Sequence, residues 1–327
     1  AVTLLGSAAG GKGSVHGKVT DAATGKPVQN QTIAVRIYQG ADNVYGAPYH
    51  TSTIDEVGNY EFKDLPQGDY TIQFVDLGQV GTGLYAISSR TVLVKDGVNL
   101  KIDETISKRL DDGQLRFVLT WGNRPEAVDG SDSSDDDYDY EYMTYPIASD
   151  LDSHLRGPKA GSEEGTFHVY FSQKVYYGQD DYDYGYGDDE IEGGDVEDGG
   201  LDENDRPYVR LDVDDTTFAG PETTTIYKEL PGVYHFYVHN FTDLSYGSGN
   251  EDAVRRTRLS TSQACVQVFR GSVCIAKYQL DGTSEGNVWD VCTYDSRTNT
   301  LTPTNKVFYN DNAYENIGST DVFDYIK

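Results

Sequence analysis

Sulfur and positive charge are what this chain has least of. Three cysteines in 327 residues argue against a fold stapled by a dense disulfide framework. Lysine and arginine number 26 against 54 aspartates and glutamates, for a net charge of −28 and an isoelectric point near 4.3. Such a surface has no basic face to displace counterions from phosphate, so nucleic acid is not an expected partner. An anionic membrane surface would repel it. No apolar run approaches the roughly 20 residues that a spanning helix requires, so no membrane span is expected. Long stretches of Leu, Ala, Glu and Lys are scarce, whereas 35 glycines and 26 tyrosines are present. That balance favours strands and turns over helices.

The opening Ala1-Val2-Thr3 fits the product of signal-peptidase cleavage, and the expected location is secreted or at the cell surface. A trimmed chain would start the same way. Cys274 and Cys292, on strands predicted to be adjacent and joined by a turn at Asp281–Gly286, are a candidate disulfide pair. Cys265 then remains as a small buried apolar residue.

What the chain does have is strand periodicity interrupted by two blocks of acid and tyrosine. Segment 126–149 carries eight acids and no Lys or Arg, and segment 178–206 carries thirteen acids against Arg206 alone. Their net charges of −8 and −12 make up −20 of the total −28. Runs of this kind stay loose, because like charges repel and little apolar surface offsets the ordering entropy. A fixed shape for them requires bound counter-charge, and Ca²⁺ suits carboxylate oxygens best. Tyr138, Tyr140, Tyr142, Tyr182, Tyr184 and Tyr186 alternate with the acids, so a strand built from them would have one aromatic and one acidic face.

Residues 1–13 read as an extension, in which the apolar pentad Ala1-Val2-Thr3-Leu4-Leu5 precedes a Gly/Ala/Ser/Lys tether. It is either a frayed terminus or a donor strand that completes a neighbour's sheet. From 14 to 110, Val15, Val19, Ile33, Val35 and Ile37, then Tyr60, Phe62, Tyr70, Ile72 and Phe74, alternate with polar residues between turns. Gly17-Lys18-Val19-Thr20-Asp21 with Thr24-Gly25-Lys26-Pro27-Val28, followed by Asp55, Gly58, Tyr60, Phe62, Leu65-Pro66, Gly68 and Tyr70, resembles the carboxypeptidase-regulatory-like (transthyretin-like) family. The resemblance covers about 95 residues and implies a seven-stranded, Ig-like sandwich that acts as a spacer or interaction module without chemistry of its own.

Asp111-Asp112-Gly113 marks a boundary, after which roughly nine or ten alternating segments point to a larger antiparallel sandwich or jelly roll over 111–327. The acidic blocks sit in it as insertions. Leu115–Gly122, Asp150–Leu155 and Leu211–Thr216 resemble an uncharacterised β-sandwich module of bacterial secreted and surface proteins, which implies a fold and says little about activity. The expected class is therefore all-β, two tandem sandwiches.

Asp150, Asp152 and His154 are spaced by two, so in a strand they share a face; Asp212 and Asp214 do likewise, with Asp215 opposite. Asp150, Asp152, Asp212, Asp214 and Asp215 are the candidate structural Ca²⁺ ligands. The plainer alternative is that they cap turns and pair with Arg156, Arg210 or Lys228. Asp195, Asp198, Asp202 and Asp205 in the second block approach a Ca²⁺ loop without completing an EF-hand pattern. Zinc at His154, His235 or His239 is the weaker reading, because zinc-type His/Cys spacing is absent. No nucleophile elbow, His-Glu-x-x-His helix or Cys–His signature is present, so no enzyme is expected. The leading expectation is an extracellular structural protein, a subunit of a surface fibre, sheath or coat. It would bind copies of itself through Ala1–Leu5 and be stiffened by Ca²⁺. Two alternatives stay open: an adhesin or carbohydrate-binding module presenting Tyr/Asp loops to a surface glycan or protein, and the accessory region of a secreted hydrolase.

Overall fold

The computed structural model describes residues 10–29, 32–78, 83–122, 150–178, 206–216, 220–241 and 253–309. Both acidic blocks, apart from Gly178 and Arg206 at the ends of the second, and the Ala1–Leu5 pentad lie outside the described residues. So do Asp195, Asp198, Asp202 and Asp205. The chain divides into two compact units, Ala1–Leu110 with Gly271–Cys274, and Asp111–Arg270 with Ile275–Lys327. Among the described residues, no helix is long and apolar enough to cross a membrane.

The first unit holds β1 (Lys12–Asp21), β2 (Ile33–Gln39), β3 (His50–Thr53), β4 (Asn59–Pro66), β5 (Gly68–Asp76), β6 (Ser88–Val94), β7 (Asn99–Lys101) and β8 (Glu104–Ile106). One sheet runs β3-β2-β5-β6; in the other, β4 and β7 flank β1, and β8 also pairs β1. β7 and β8 are short successive segments that both run parallel to β1. The alternating apolar residues Val15, Val19, Ile33, Val35, Ile37, Phe62, Ile72 and Phe74 form the core. The turn into β4 depends on Gly58. Its φ is +82°, and a Cβ there would lie 2.7 Å from the Val19 carbonyl oxygen.

The second unit holds β9 (Leu115–Thr120), β10 (Leu151–Pro158), β11 (Thr166–Val169), β12 (Val175–Tyr176), β13 (Val209–Val213), β14 (Glu222–Ile226) and β15 (Val233–Asn240). It continues with the helix α1 (Ala253–Thr261) and β16 (Cys265–Arg270), β17 (Val273–Gln279, of which Val273 and Cys274 count with the first unit), β18 (Val288–Asp295) and β19 (Thr300–Phe308). Its sheets run β11-β10-β15-β18-β19 and β12-β13-β14-β9-β16-β17. Their inner faces share one core, with Leu115, Phe117, Leu119 and Val266 from the second sheet against Leu151, Leu155, Phe236 and Trp289 from the first. Phe117 stacks on Phe236 with centroids 4.6 Å apart and rings 7° from parallel. This is the all-β architecture that the periodicity predicts.

Two local expectations are corrected. The nine-residue helix α1 was not expected, because its sequence lacks a sustained apolar stripe; Leu259 is fully buried and anchors it. The Cys274–Cys292 bridge is not formed, and Cys265, Cys274 and Cys292 are all thiols. β17 pairs in the six-stranded sheet, whereas β18 lies between β15 and β19 in the five-stranded one. The connecting turn therefore changes sheets instead of closing a hairpin.

Candidate metal centre

β10 is where the second unit departs from ordinary strand chemistry. Alternation should leave one face of Leu151–Arg156 in water, yet all six residues are buried. Leu151 and Leu155 enter the shared core. Asp152, His154 and Arg156 bring a carboxylate, an imidazole and a guanidinium into the interior with 3%, 1% and 6% exposure. Charged groups are seldom buried so deeply without a partner.

The β14 strand supplies the opposing acid. Glu222 pairs in register with Leu119, and Thr224 with Phe117, which turns the Glu222 side chain inward between the sheets. Its Oε1 accepts hydrogen bonds from the Ser153 backbone N–H at 2.6 Å and the Ser153 hydroxyl at 2.7 Å. Its Oε2 is buried with no hydrogen-bond partner. Asp214, just beyond β13, gives one oxygen to the Lys174 ammonium at 3.0 Å, while its Oδ1 is buried and has no hydrogen-bond partner. Asp152 Oδ2 is in the same condition. One carboxylate oxygen from each of Asp152, Asp214 and Glu222 lies within 4.8 Å of the other two.

Electrostatics confirm the crowding. Burial, then the Asp214 and Asp215 charges, pushes Asp150 up to about 7. Burial, then Asp150 and Asp214, pushes Asp152 up to about 8. Burial, then Asp152 and Asp214, holds Glu222 well above the usual carboxylate range against the Ser153 hydrogen bonds. These groups resist ionisation unless a cation joins them. Ca²⁺–oxygen bonds of about 2.3–2.6 Å place two ligands up to about 5 Å apart, so the three-oxygen set already has the spread that a single Ca²⁺ needs.

Of the candidates read from the sequence, Asp150, Asp152, Asp214 and Asp215 come together at this end of the sandwich. Asp212 does not. A bulge between Leu211 and Val213 breaks the two-residue alternation, and Asp212 instead accepts hydrogen bonds from the hydroxyls of Thr225 at 2.5 Å and Tyr227 at 2.6 Å. Burial raises its carboxyl, with Arg116 and these hydroxyls opposing. Glu222 was missed as a ligand. The signal for it was the run Glu222-Thr-Thr-Thr-Ile226, whose period of two places Glu222 on the side of Ile226.

Histidines lie on the other side of Asp152. The register of β10 with β15 sets Asp152 opposite His239, His154 opposite Tyr237 and Arg156 opposite His235. His154 Nδ1 lies 2.9 Å from His168 Nε2, and its ring stacks on Tyr237 at 4.7 Å and Tyr170 at 5.4 Å. His235 is engaged by Asp290, with Nε2 and Oδ1 2.5 Å apart.

No protein-family model matches the chain, and no curated protein matches its sequence. Similar solved structures include the protein of unknown function SAV2460, with 14% identity over 61% of this chain and 91% of that one and a TM-score of 0.32. A DUF3823 family protein from Bacteroides uniformis has 12% identity over 74% and 94%, with a TM-score of 0.23. The full-length major pilin SpaD from Corynebacterium diphtheriae has 11% identity over 70% and 61%, with a TM-score of 0.22. Identities and TM-scores this low transfer neither family nor function to this chain.

Proposed function

We propose that this chain is an extracellular structural protein, a subunit of a surface fibre, sheath or coat, whose larger sandwich is fixed by Ca²⁺. Asp152, Asp214 and Glu222 would supply the first oxygens, with Asp150 and Asp215 beside them. The observation that carries the metal is the set of three buried carboxylate oxygens, one from each acid, without a hydrogen-bond partner. A buried carboxylate costs several kcal/mol of desolvation unless it is neutralised or paired. A divalent cation satisfies all three at once, while Lys174 meets only the other oxygen of Asp214.

The ion would tie the start of β10, the end of β13 and the start of β14 together, and so clamp the two sheets at one end. Extracellular Ca²⁺ modules work at dissociation constants of about 10⁻⁴–10⁻³ M, a regime that a permanently Ca²⁺-rich exterior satisfies and a cytosol does not. Assembly would proceed by strand addition through Ala1–Leu5. Two measurements test the reading. Ca²⁺ should raise the melting temperature of chelator-treated protein, and removal of residues 1–12 should stop polymer formation seen by electron microscopy. A melting curve indifferent to Ca²⁺ defeats the metal assignment, and unaltered polymers from the truncated chain defeat the donor strand.

A further inference from the structure

We propose a second cation site built from His154, His239 and Asp152, one that takes a borderline transition metal of the Zn²⁺ class. It shares Asp152 with the carboxylate set and has two ligands of its own, His154 and His239, whose variants test it apart from the Ca²⁺ reading.

His239 carries the argument furthest. It is 1% exposed, and neither Nδ1 nor Nε2 has a hydrogen-bond partner. A neutral imidazole has one N–H and one lone pair, and each costs about 1–3 kcal/mol when buried unmet. Nδ1 points toward Asp152 Oδ2 at 4.0 Å, too far for a hydrogen bond. A tetrahedral zinc ion with bonds of about 2.0–2.2 Å holds two donors about 3.3–3.6 Å apart, about half an ångström closer than these two atoms stand. A small approach of the two side chains would bring the pair to the spacing of a shared metal.

His154 supplies the third donor. Donation of its Nδ1–H to His168 Nε2, 2.9 Å away, would leave the Nε2 lone pair directed inward, where it is buried without a partner. Histidines that bind metals usually have the other ring nitrogen held by a neighbouring group. Stacking against Tyr237 and Tyr170 fixes the plane of the ring. The donor atoms of Asp152, His154 and His239 all lie within 4.8 Å of one another, so closure on a tetrahedral metal needs donor pairs to draw together by up to about 1.3 Å, within reach of small side-chain rotations.

Charge and donor type select the metal. Burial, with Arg156 and the neighbouring imidazoles opposing a further positive charge, keeps His154 well below its ordinary value. Burial alone takes His239 down to about 3. Arg156 opposes a cation here, and the carboxylate that Asp152 contributes to the site offsets it. Two imidazoles and one carboxylate favour Zn²⁺, Fe²⁺ or Co²⁺ over Ca²⁺, which seeks six to eight oxygens. Three protein ligands leave at least one coordination position for water or a small anion.

Co²⁺ is the probe. The full chain, freed of metal with chelator, is titrated with CoCl₂ while its visible d–d absorption is recorded. The expected result is one tightly bound equivalent with the intense bands of a four- or five-coordinate ion, displaced by Zn²⁺ and unmoved by millimolar Ca²⁺. His154→Gln and His239→Gln should each weaken Co²⁺ binding at least tenfold while the Ca²⁺-induced rise in melting temperature persists. Asp214→Asn should do the reverse. X-ray absorption of the Zn²⁺-loaded natural chain needs no variant and should show two imidazoles. An all-oxygen shell, or Co²⁺ spectra identical in the natural chain and the two histidine variants, overturns the proposal.

Discussion

Asp152 and His239 face each other across the β10–β15 pair, Oδ2 4.0 Å from Nδ1, and neither atom has a hydrogen-bond partner. The two residues lie 87 positions apart in the sequence, and strand register alone sets them opposite. Buried polar groups in folded proteins are nearly always satisfied. Each exception therefore marks either a destabilised spot or a place kept for a ligand, and those on Asp152, His154, Asp214, Glu222 and His239 gather around one carboxylate.

Glu222→Gln separates ligand from scaffold. The amide oxygen can still accept from Ser153, so the metal-free variant should unfold within about 1 kcal/mol of the natural chain at pH 6. Its response to Ca²⁺ should be lost. Urea denaturation with and without Ca²⁺ measures both, and an undiminished Ca²⁺ response would remove Glu222 from the site.

The metal-free protein should lose stability as pH rises from about 6.5 to about 8. Asp150, Asp152 and Glu222 have raised folded-state values, so in this window the folded chain holds protons that the unfolded chain has released. Stability then falls with pH. Below an ordinary histidine value of 6.5, the lowered His154, His168 and His239 act in the opposite sense, because the unfolded chain takes up protons that the folded one refuses. The two trends offset each other there, which leaves the upper window as the clean one. Saturating Ca²⁺ should flatten it, and calorimetry in two buffers should detect protons released on binding. Stability that climbs from pH 6.5 to 8 without metal would contradict the assignment.

Asp212→Asn tests the residue that the bulge removes from the cluster. It weakens two hydroxyl hydrogen bonds and the attraction of Arg116, so the expected loss is about 1–3 kcal/mol. Ca²⁺ binding should stay as it was. A loss of Ca²⁺ affinity comparable to that of Asp214→Asn would return Asp212 to the ligand set.

Phe117→Ala opens the contact between the two sheets of the second unit, where Phe117 is 1% exposed and stacks on Phe236. The expected cost is about 3–5 kcal/mol, read from the denaturation midpoint. The size of the Ca²⁺ effect on that midpoint should persist, because the clamp and the aromatic contact are separate.

How much of this was legible in the sequence follows from how far each signal travels along the chain. The alternation at Phe117, Leu119, Phe236 and Val238 is local, and it specifies strands and the inward face without further information. Asp150, Asp152 and His154 announce a shared face by the same two-residue rule, and Asp152 and His154 do meet in one group. The rule fails at Asp212 because one bulged residue inverts everything after it. The Cys274–Cys292 pairing fails for a related reason: a turn does not say whether the chain stays in its sheet or crosses to the other.

Composition and periodicity, then, settled that this chain is all-β, strongly acidic, and equipped with carboxylates at strand spacing. The acidity is a count of residues, and the strands and their carboxylate spacing are properties of neighbours in sequence, where sterics and side-chain alternation act directly. Only the tertiary structure brought Glu222 to Asp152, turned Asp212 away and set His239 opposite. Convergence across two sheets depends on register, a bulge and the depth of burial, and those are fixed by the packing of the whole sandwich rather than by any one of its segments.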